Sequence, residues 1–197
     1  MGRTADGECL AAAICGTVRA MELRADARVP FERTLVFRTY RDHLRDLLPY
    51  LPDVRGIEVR ERRDDGLRTQ VLNVWRGGGE IPAAARSVLS ETMLSWNDHA
   101  AWDETDWSCA WRIETHAFTE AVRCSGSNRF VADGENRARI EIRGTLEIDA
   151  RKLPGVPRLL AGTVAKVIEG MLLARVGPNL VAVSEGVSTY LRAKADG

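Results

Sequence analysis

One short segment of the chain concentrates most of the side chains that could do chemistry. Residues 96–114, WNDHAAWDETDWSCAWRIE, contain four of the five tryptophans, one histidine, one cysteine and five carboxylates. Imidazole, thiolate and carboxylate groups are common zinc ligands, and they also serve as acids, bases and nucleophiles in enzymes. Indole rings, in contrast, favour apolar cores and pockets. The segment is therefore either a catalytic or metal-binding cluster or the wall of an apolar space.

The spacing within this segment separates these groups if both halves are strands. Residues 103–106 are polar and lie between two alternating runs, which predicts a hairpin turn with Trp102 opposite Trp107. One face then carries Trp96, Asp98, Ala100, Trp102, Trp107, Cys109, Trp111 and Ile113. The other face carries Asn97, His99, Ser108, Arg112 and Glu114. A zinc site needs ligands that converge on one point, and the sheet would separate His99 from Cys109. We therefore expect no metal site here.

Asp98 is the one acid that this register places on the tryptophan face. A partly buried carboxyl has a raised pKa or finds a hydrogen-bond donor, so Asp98 could orient a ligand or act as an acid or base. A bulge that returns it to solvent is the alternative. The sequence places His43 in an arginine-rich helix and His116 at a turn, so neither supports a catalytic triad. Cys109 and Cys124 are interpreted as buried thiols.

The remaining elements follow from hydrophobic periodicity. Residues 21–29 alternate as a strand that Pro30 stops, and residues 31–54 predict one or two short helices. Residues 57–75 predict a hairpin around Asp64-Asp65-Gly66, and four more strands follow. The last of these alternates cleanly over residues 139–149, which is typical of an antiparallel sheet with one covered face.

The end of the chain predicts a long helix with a broad apolar stripe. The stripe consists of Leu159, Leu160, Thr163, Val164, Val167, Ile168, Met171 and Leu172. The helix either continues through Gly177-Pro178 or is divided there. A helix with so wide an apolar face must cover the sheet. The sequence therefore predicts an α+β fold in which a curved antiparallel sheet wraps around a long C-terminal helix, with two short helices after the first strand.

Composition limits the function classes. Lysine plus arginine equals aspartate plus glutamate at 28 each, which gives no support for nucleic-acid binding. The four cysteines show no C-x-x-C spacing, which favours a reduced, cytoplasmic protein. No apolar run is long enough to span a membrane. We expect a disordered leader over residues 1–20 and a single domain over residues 21–197, with no cofactor; the oligomeric state is left open.

The order of elements resembles the START-like or Bet v 1-like (SRPBCC) superfamily, the helix-grip fold of polyketide cyclases and lipid-transfer proteins. Three features carry the resemblance: the opening strand that ends in a proline before the helices, RADARVPFERTLVFRTYRDHL; the six-strand meander; and LPGVPRLLAGTVAKVIEG, which leads into the last helix. It covers roughly residues 21–194. The resemblance implies a hydrophobic ligand held between sheet and helix. It also implies that some members catalyse cyclisation or dehydration.

These observations lead to one expected function and two alternatives. We expect binding of a hydrophobic or amphipathic small molecule or lipid, for transport or sequestration, and nothing in the sequence demands catalysis. The predicted ligand-binding residues are Trp96, Trp107, Trp111, Phe130, Val164, Ile168 and Met171. The first alternative is a polyketide cyclase or dehydratase that acts in the same cavity, with Asp98 as its acid. The second is an interaction module whose core is filled and holds no ligand.

Overall fold

The protein is described here by a computed structural model that covers residues 18–78, 94–152 and 181–195, together with helical positions 163, 166 and 170. The elements, in chain order, are strand β1 (Val18–Val29), helix α1 (Arg33–Asp42), a 3₁₀ helix (Leu44–Tyr50), strands β2 (Val54–Asp65), β3 (Arg68–Gly77), β4 (Ser95–Asp103), β5 (Ser108–Thr115), β6 (Val122–Ala132) and β7 (Ala138–Asp149), and a short 3₁₀ turn (Ala150–Lys152). Residues 181–195 are helical and are called the C-terminal helix below.

The seven strands form one antiparallel sheet in the order β1-β7-β6-β5-β4-β3-β2. Strands β2 to β7 follow one another as a meander, which confirms the prediction of six sequential strands after the helices. Strand β1 pairs with β7 along its whole length, from Val18 opposite Asp149 to Val29 opposite Ala138. It begins three residues before the predicted start at Met21, because pairing with the end of β7 extends it.

Local sequence explains where the first elements end. Strand β1 stops at Val29 because Pro30 has no N–H to continue the ladder. The next segment forms α1 and the 3₁₀ helix, as predicted for residues 31–54. Val36 and Phe37 are fully buried, whereas Leu35 on the same helix is exposed. The helix therefore presents a narrow apolar face to the sheet.

Strand β7 shows the predicted alternation most clearly. Its residues Ile140, Ile142, Leu146 and Ile148 are no more than 1% exposed. The turns that precede β3 and β7 contain glycines with positive φ, 59° at Gly66 and 103° at Gly134. Backbone in this region strains residues that have a Cβ, which is why the two Asp-Gly sequences predicted these turns correctly. We call the face that carries the buried β7 side chains the inner face.

The C-terminal helix packs beside the 3₁₀ helix and completes the core. Its Val183, Val187 and Leu191 are buried in the same cluster as the inner face. Tyr190 reaches back to Asp46, with its hydroxyl 3.4 Å from the carboxylate. The predicted fold class, a curved antiparallel sheet with a C-terminal helix, is thus confirmed. Continuity at Gly177-Pro178 lies outside the described residues. No helix in the described ranges is long and apolar enough to cross a membrane.

Candidate functional site

The predicted register of the β4–β5 hairpin is wrong by two residues. Trp102 pairs with Cys109, not with Trp107, and Asp98 pairs with Ile113. Trp107 instead belongs to the turn, where its φ is 58°. The turn is therefore residues 104–107, displaced by one residue from the predicted 103–106. The carboxylate of Asp103 accepts a hydrogen bond from the Thr105 backbone N–H at 2.8 Å, which stabilises this turn. Because side chains alternate with a period of two, a two-residue shift leaves every predicted strand side chain on its predicted face.

Five aromatic side chains form a packed cluster beneath α1. They are Phe37, Tyr40, Trp102, Trp107 and Phe130. The ring of Phe37 lies 5.1–5.3 Å from three of the others, in edge-to-face contacts. Such geometry places the positive ring edge against a negative ring face and adds to the energy of burial. On the solvent side, the Arg33 guanidinium covers Trp107 at 4.4 Å from the ring centroid.

Trp111 is held in a seat made by two glycines that face each other on β6 and β7. Gly126 pairs with Gly144, and Trp111 pairs with Gly126 on the other side. A Cβ atom at Gly144 would lie only 2.8 Å from Cη2 of Trp111, so the indole occupies the space that two side chains would fill. Its Nε1 donates to Asn128 Oδ1 at 2.9 Å. Glycines inside strands often mark such close approaches, and this signal was present in the sequence.

A second aromatic pair lies near the other end of β4. Trp96 stacks on Trp75 of β3, with ring centroids 5.7 Å apart and planes 13° apart. The two residues are direct cross-strand partners. Trp75 was not among the predicted site residues, because the strand pairing that brings it beside Trp96 joins segments separated along the chain.

Asp98 lies next to this pair on the inner face, together with Asn73 and Trp75; we call these three residues the Asp98 cluster. Asn73 Nδ2 donates to Asp98 Oδ2 at 3.2 Å. Burial raises the pKa of Asp98, and the hydrogen bond from Asn73 offsets part of that effect. Asn73 Oδ1 and Trp75 Nε1 are buried and have no hydrogen-bond partner among the described residues. The cluster is therefore a polar spot with spare hydrogen-bonding capacity on an apolar face.

The outer face holds the histidines of this region. His99 Nε2 lies 3.2 Å from Glu114 Oε2, and His116 contacts Ser95 at 2.7 Å. His43 lies elsewhere, 2.9 Å from Asp46 at the end of α1. Across the part of the chain that the structure describes, no three His, Cys, Asp or Glu side chains are grouped as metal ligands would be.

Both described cysteines are free thiols on the inner face. Burial raises the pKa of Cys124 to about 12. Burial also raises the pKa of Cys109, well above that of an exposed thiol. Since the thiolate is the nucleophile, neither residue is placed to act as one.

Comparison with known proteins gives a likeness in structure alone. No protein-family model and no curated protein matches the chain. A protein from Thermus thermophilus is 22% identical over 86% of this chain and 99% of its own, with a TM-score of 0.57. The Zhui aromatase/cyclase from a Streptomyces species is 16% identical over 90% of this chain and 96% of its own, with a TM-score of 0.59. The chain has the helix-grip fold of the START-like and Bet v 1-like proteins.

A further helix-grip structure is norcoclaurine synthase from Thalictrum flavum in complex with dopamine and hydroxybenzaldehyde. It is 14% identical over 90% of this chain and 90% of its own, with a TM-score of 0.60. The aromatase/cyclase and the synthase are enzymes, but identities this low establish only the fold that they share with the chain.

The helix-grip sheet distributes the predicted ligand-binding residues over three regions. Trp96 is partly buried beside the Asp98 cluster, and Trp111 lies on its glycine seat across from Ala100. Trp107 and Phe130 belong to the cluster beneath α1. Val164, Ile168 and Met171 fall outside the described residues.

Proposed function

We propose that the protein binds a small apolar or amphipathic molecule, such as a lipid or aromatic compound, between its sheet and its C-terminal helix. The observation that carries the proposal is the Asp98 cluster. A buried donor or acceptor without a partner costs about 1–3 kcal/mol, and native proteins contain few of them. Two such atoms, Asn73 Oδ1 and Trp75 Nε1, belong to neighbouring inner-face residues of one strand.

A ligand hydroxyl would satisfy both atoms, because it donates one hydrogen bond and accepts others. Trp96 and Trp111 would supply flat apolar surface for the rest of the ligand. Val164, Ile168 and Met171 would form the opposite wall, as the sequence predicts. Trp107 and Phe130 would also line the site, because the aromatic cluster to which they belong would close the end of the site nearest α1. The free, buried thiols are consistent with a reduced cytoplasmic setting, which is also part of the proposal.

Tryptophan fluorescence tests this proposal, because the proposed wall contains indoles. The protein is titrated with hydroxylated aromatic compounds and with their counterparts that lack the hydroxyl. We expect saturable quenching by at least one hydroxylated compound and binding about tenfold weaker in Trp75→Phe, since one hydrogen bond is lost. Trp102→Phe, in the packed cluster, is the matched control and should keep its affinity. No saturable change with any compound would contradict the proposal.

A second candidate is a cyclase or dehydratase that folds a reactive polyketide-like chain in the same space. The raised pKa of Asp98 favours it, because a carboxyl that keeps its proton can act as a general acid. Asp98→Asn preserves the shape of the side chain and removes the acid. Under this candidate, Asp98→Asn binds the substrate but loses turnover; turnover equal to that of the wild type would exclude Asp98 as the acid.

A further inference from the structure

A concavity lies at the edge of the sheet, between the 3₁₀ helix and β2. Its volume is about 320 Å³, within the range of small-molecule pockets. Its floor is apolar and consists of Leu44 and Leu48 from the 3₁₀ helix, Ile57 and Val59 from β2, and Val71 from β3. We call it the edge pocket.

The floor of the edge pocket leaves apolar surface in contact with water. Val59 is 40% exposed, although it lies in a strand and lines a concave site. Leu48 beside it is only partly buried. Apolar surface that collects in a concavity, rather than singly on a convex surface, is typical of a ligand site.

Charged side chains surround this floor, and most of them already have hydrogen-bond partners. The Asp42 carboxylate accepts from Arg41 and from Arg62, each at 2.9 Å. Asp46 lies 2.9 Å from His43 Nδ1. Both carboxylates on the pocket wall are thus already paired.

The third wall arginine, Arg45, is different. It is exposed, and within the described ranges its guanidinium forms no ion pair or hydrogen bond. A guanidinium carries five N–H donors and no acceptor. The pocket wall thus carries three arginines against two carboxylates that already have partners, and the unused donors of Arg45 favour an anion over a cation.

We propose that the edge pocket binds an amphipathic anion, with its apolar chain on the floor and its carboxylate at Arg45. The edge pocket borders the Asp98 cluster on the inner face, because its floor residues Ile57 and Val59 are the cross-strand partners of Trp75 and Asn73. The inference therefore rests on the function proposed above and adds to it an anionic group at Arg45.

Decanoate is a suitable probe, with decanol as the uncharged match. Binding is measured by isothermal titration calorimetry on the wild type and on Val59→Trp, Arg45→Gln and Arg63→Gln, with circular dichroism to verify folding. Val59→Trp fills the pocket, and the exposure of Val59 makes the change tolerable. Arg63 is an exposed arginine of β2 that does not line the pocket, and it serves as the matched control.

We expect decanoate to bind the wild type and Arg63→Gln equally, to bind Arg45→Gln about fivefold more weakly, and to lose its binding in Val59→Trp. If decanol binds as tightly as decanoate, the proposed interaction between the carboxylate and Arg45 is wrong. Decanoate binding that survives Val59→Trp but is lost in Asn73→Leu would assign the anion to the inner site and overturn the edge pocket. That last result would leave the proposed inner site standing.

Discussion

The glycine seat of Trp111 predicts that a single methyl group will destabilise the protein. In Gly144→Ala, the new Cβ would lie 2.7 Å from the Ser125 carbonyl oxygen and 2.8 Å from Cη2 of Trp111. Both distances are shorter than real Cβ contacts, so the strand or the indole must move. Overpacking of this kind costs about 1–3 kcal/mol. For a chain of this size, each kcal/mol lowers Tm by about 2–4 °C, which gives a total of about 2–12 °C.

Urea unfolding followed by circular dichroism measures this cost, and Trp111 emission reports whether the indole moves. Gly56→Ala is the matched control, because its nearest neighbour would be Arg76 Cδ at 3.7 Å, an ordinary contact. We expect Gly56→Ala to change the free energy of unfolding by less than about 1 kcal/mol. Equal unfolding midpoints for wild type and Gly144→Ala would refute the reasoning that the two glycines are required to seat Trp111.

Three further predictions concern charge, thiols and the aromatic cluster. Burial raises the pKa of Asp98 in the folded protein. The folded protein is therefore most stable, with respect to this group, below the unfolded pKa near 3.8, and ionisation of Asp98 lowers the stability as pH rises through the folded pKa. Asp98→Asn should therefore unfold at a higher urea concentration than the wild type at pH 7, and this difference should vanish near pH 3. The pKa of the Asp103 carboxyl is lowered, so the control variant Asp103→Asn should be less stable than the wild type at pH 7. In a protein with Cys9→Ser and Cys15→Ser, Cys109 and Cys124 should react with a thiol reagent only after unfolding; rapid reaction of the native protein would contradict their burial. Phe37→Ala should cost about 3–5 kcal/mol by urea unfolding, because its ring contacts Trp102, Trp107 and Phe130; a cost below about 1 kcal/mol would mean that the cluster is not closely packed.

Local patterns predicted the elements well where one residue type decides the geometry. Pro30 ends β1, the Asp-Gly pairs form turns before β3 and β7, and the strict alternation of β7 identifies its buried face. Each of these signals acts within a few residues of chain. The same alternation correctly placed Asp98 and Trp111 on the inner face.

The details of the site depend on contacts that the local sequence does not contain. Alternation determines which face of the sheet a side chain lies on but not which residues of two strands pair. The displacement of the turn from residues 103–106 to 104–107, which includes Trp107, therefore could not be predicted. The Trp75–Trp96 stack arises from the β3–β4 pairing. The unpaired atoms of Asn73 and Trp75 follow from that same pairing, which is why sequence reasoning identified Asp98 without its partners.

The most direct test of the central claim is the indole N–H signal of Trp75 in ¹⁵N-edited NMR spectra. The chain has five tryptophans, and Trp75→Phe and Trp102→Phe assign two of the signals. The protein is titrated with a hydroxylated aromatic compound that quenches its fluorescence. The account predicts a saturable shift of the Trp75 signal, because Nε1 gains an acceptor, and a smaller shift of the Trp102 signal. A bound ligand that shifts the Trp102 signal and leaves that of Trp75 unchanged would contradict it.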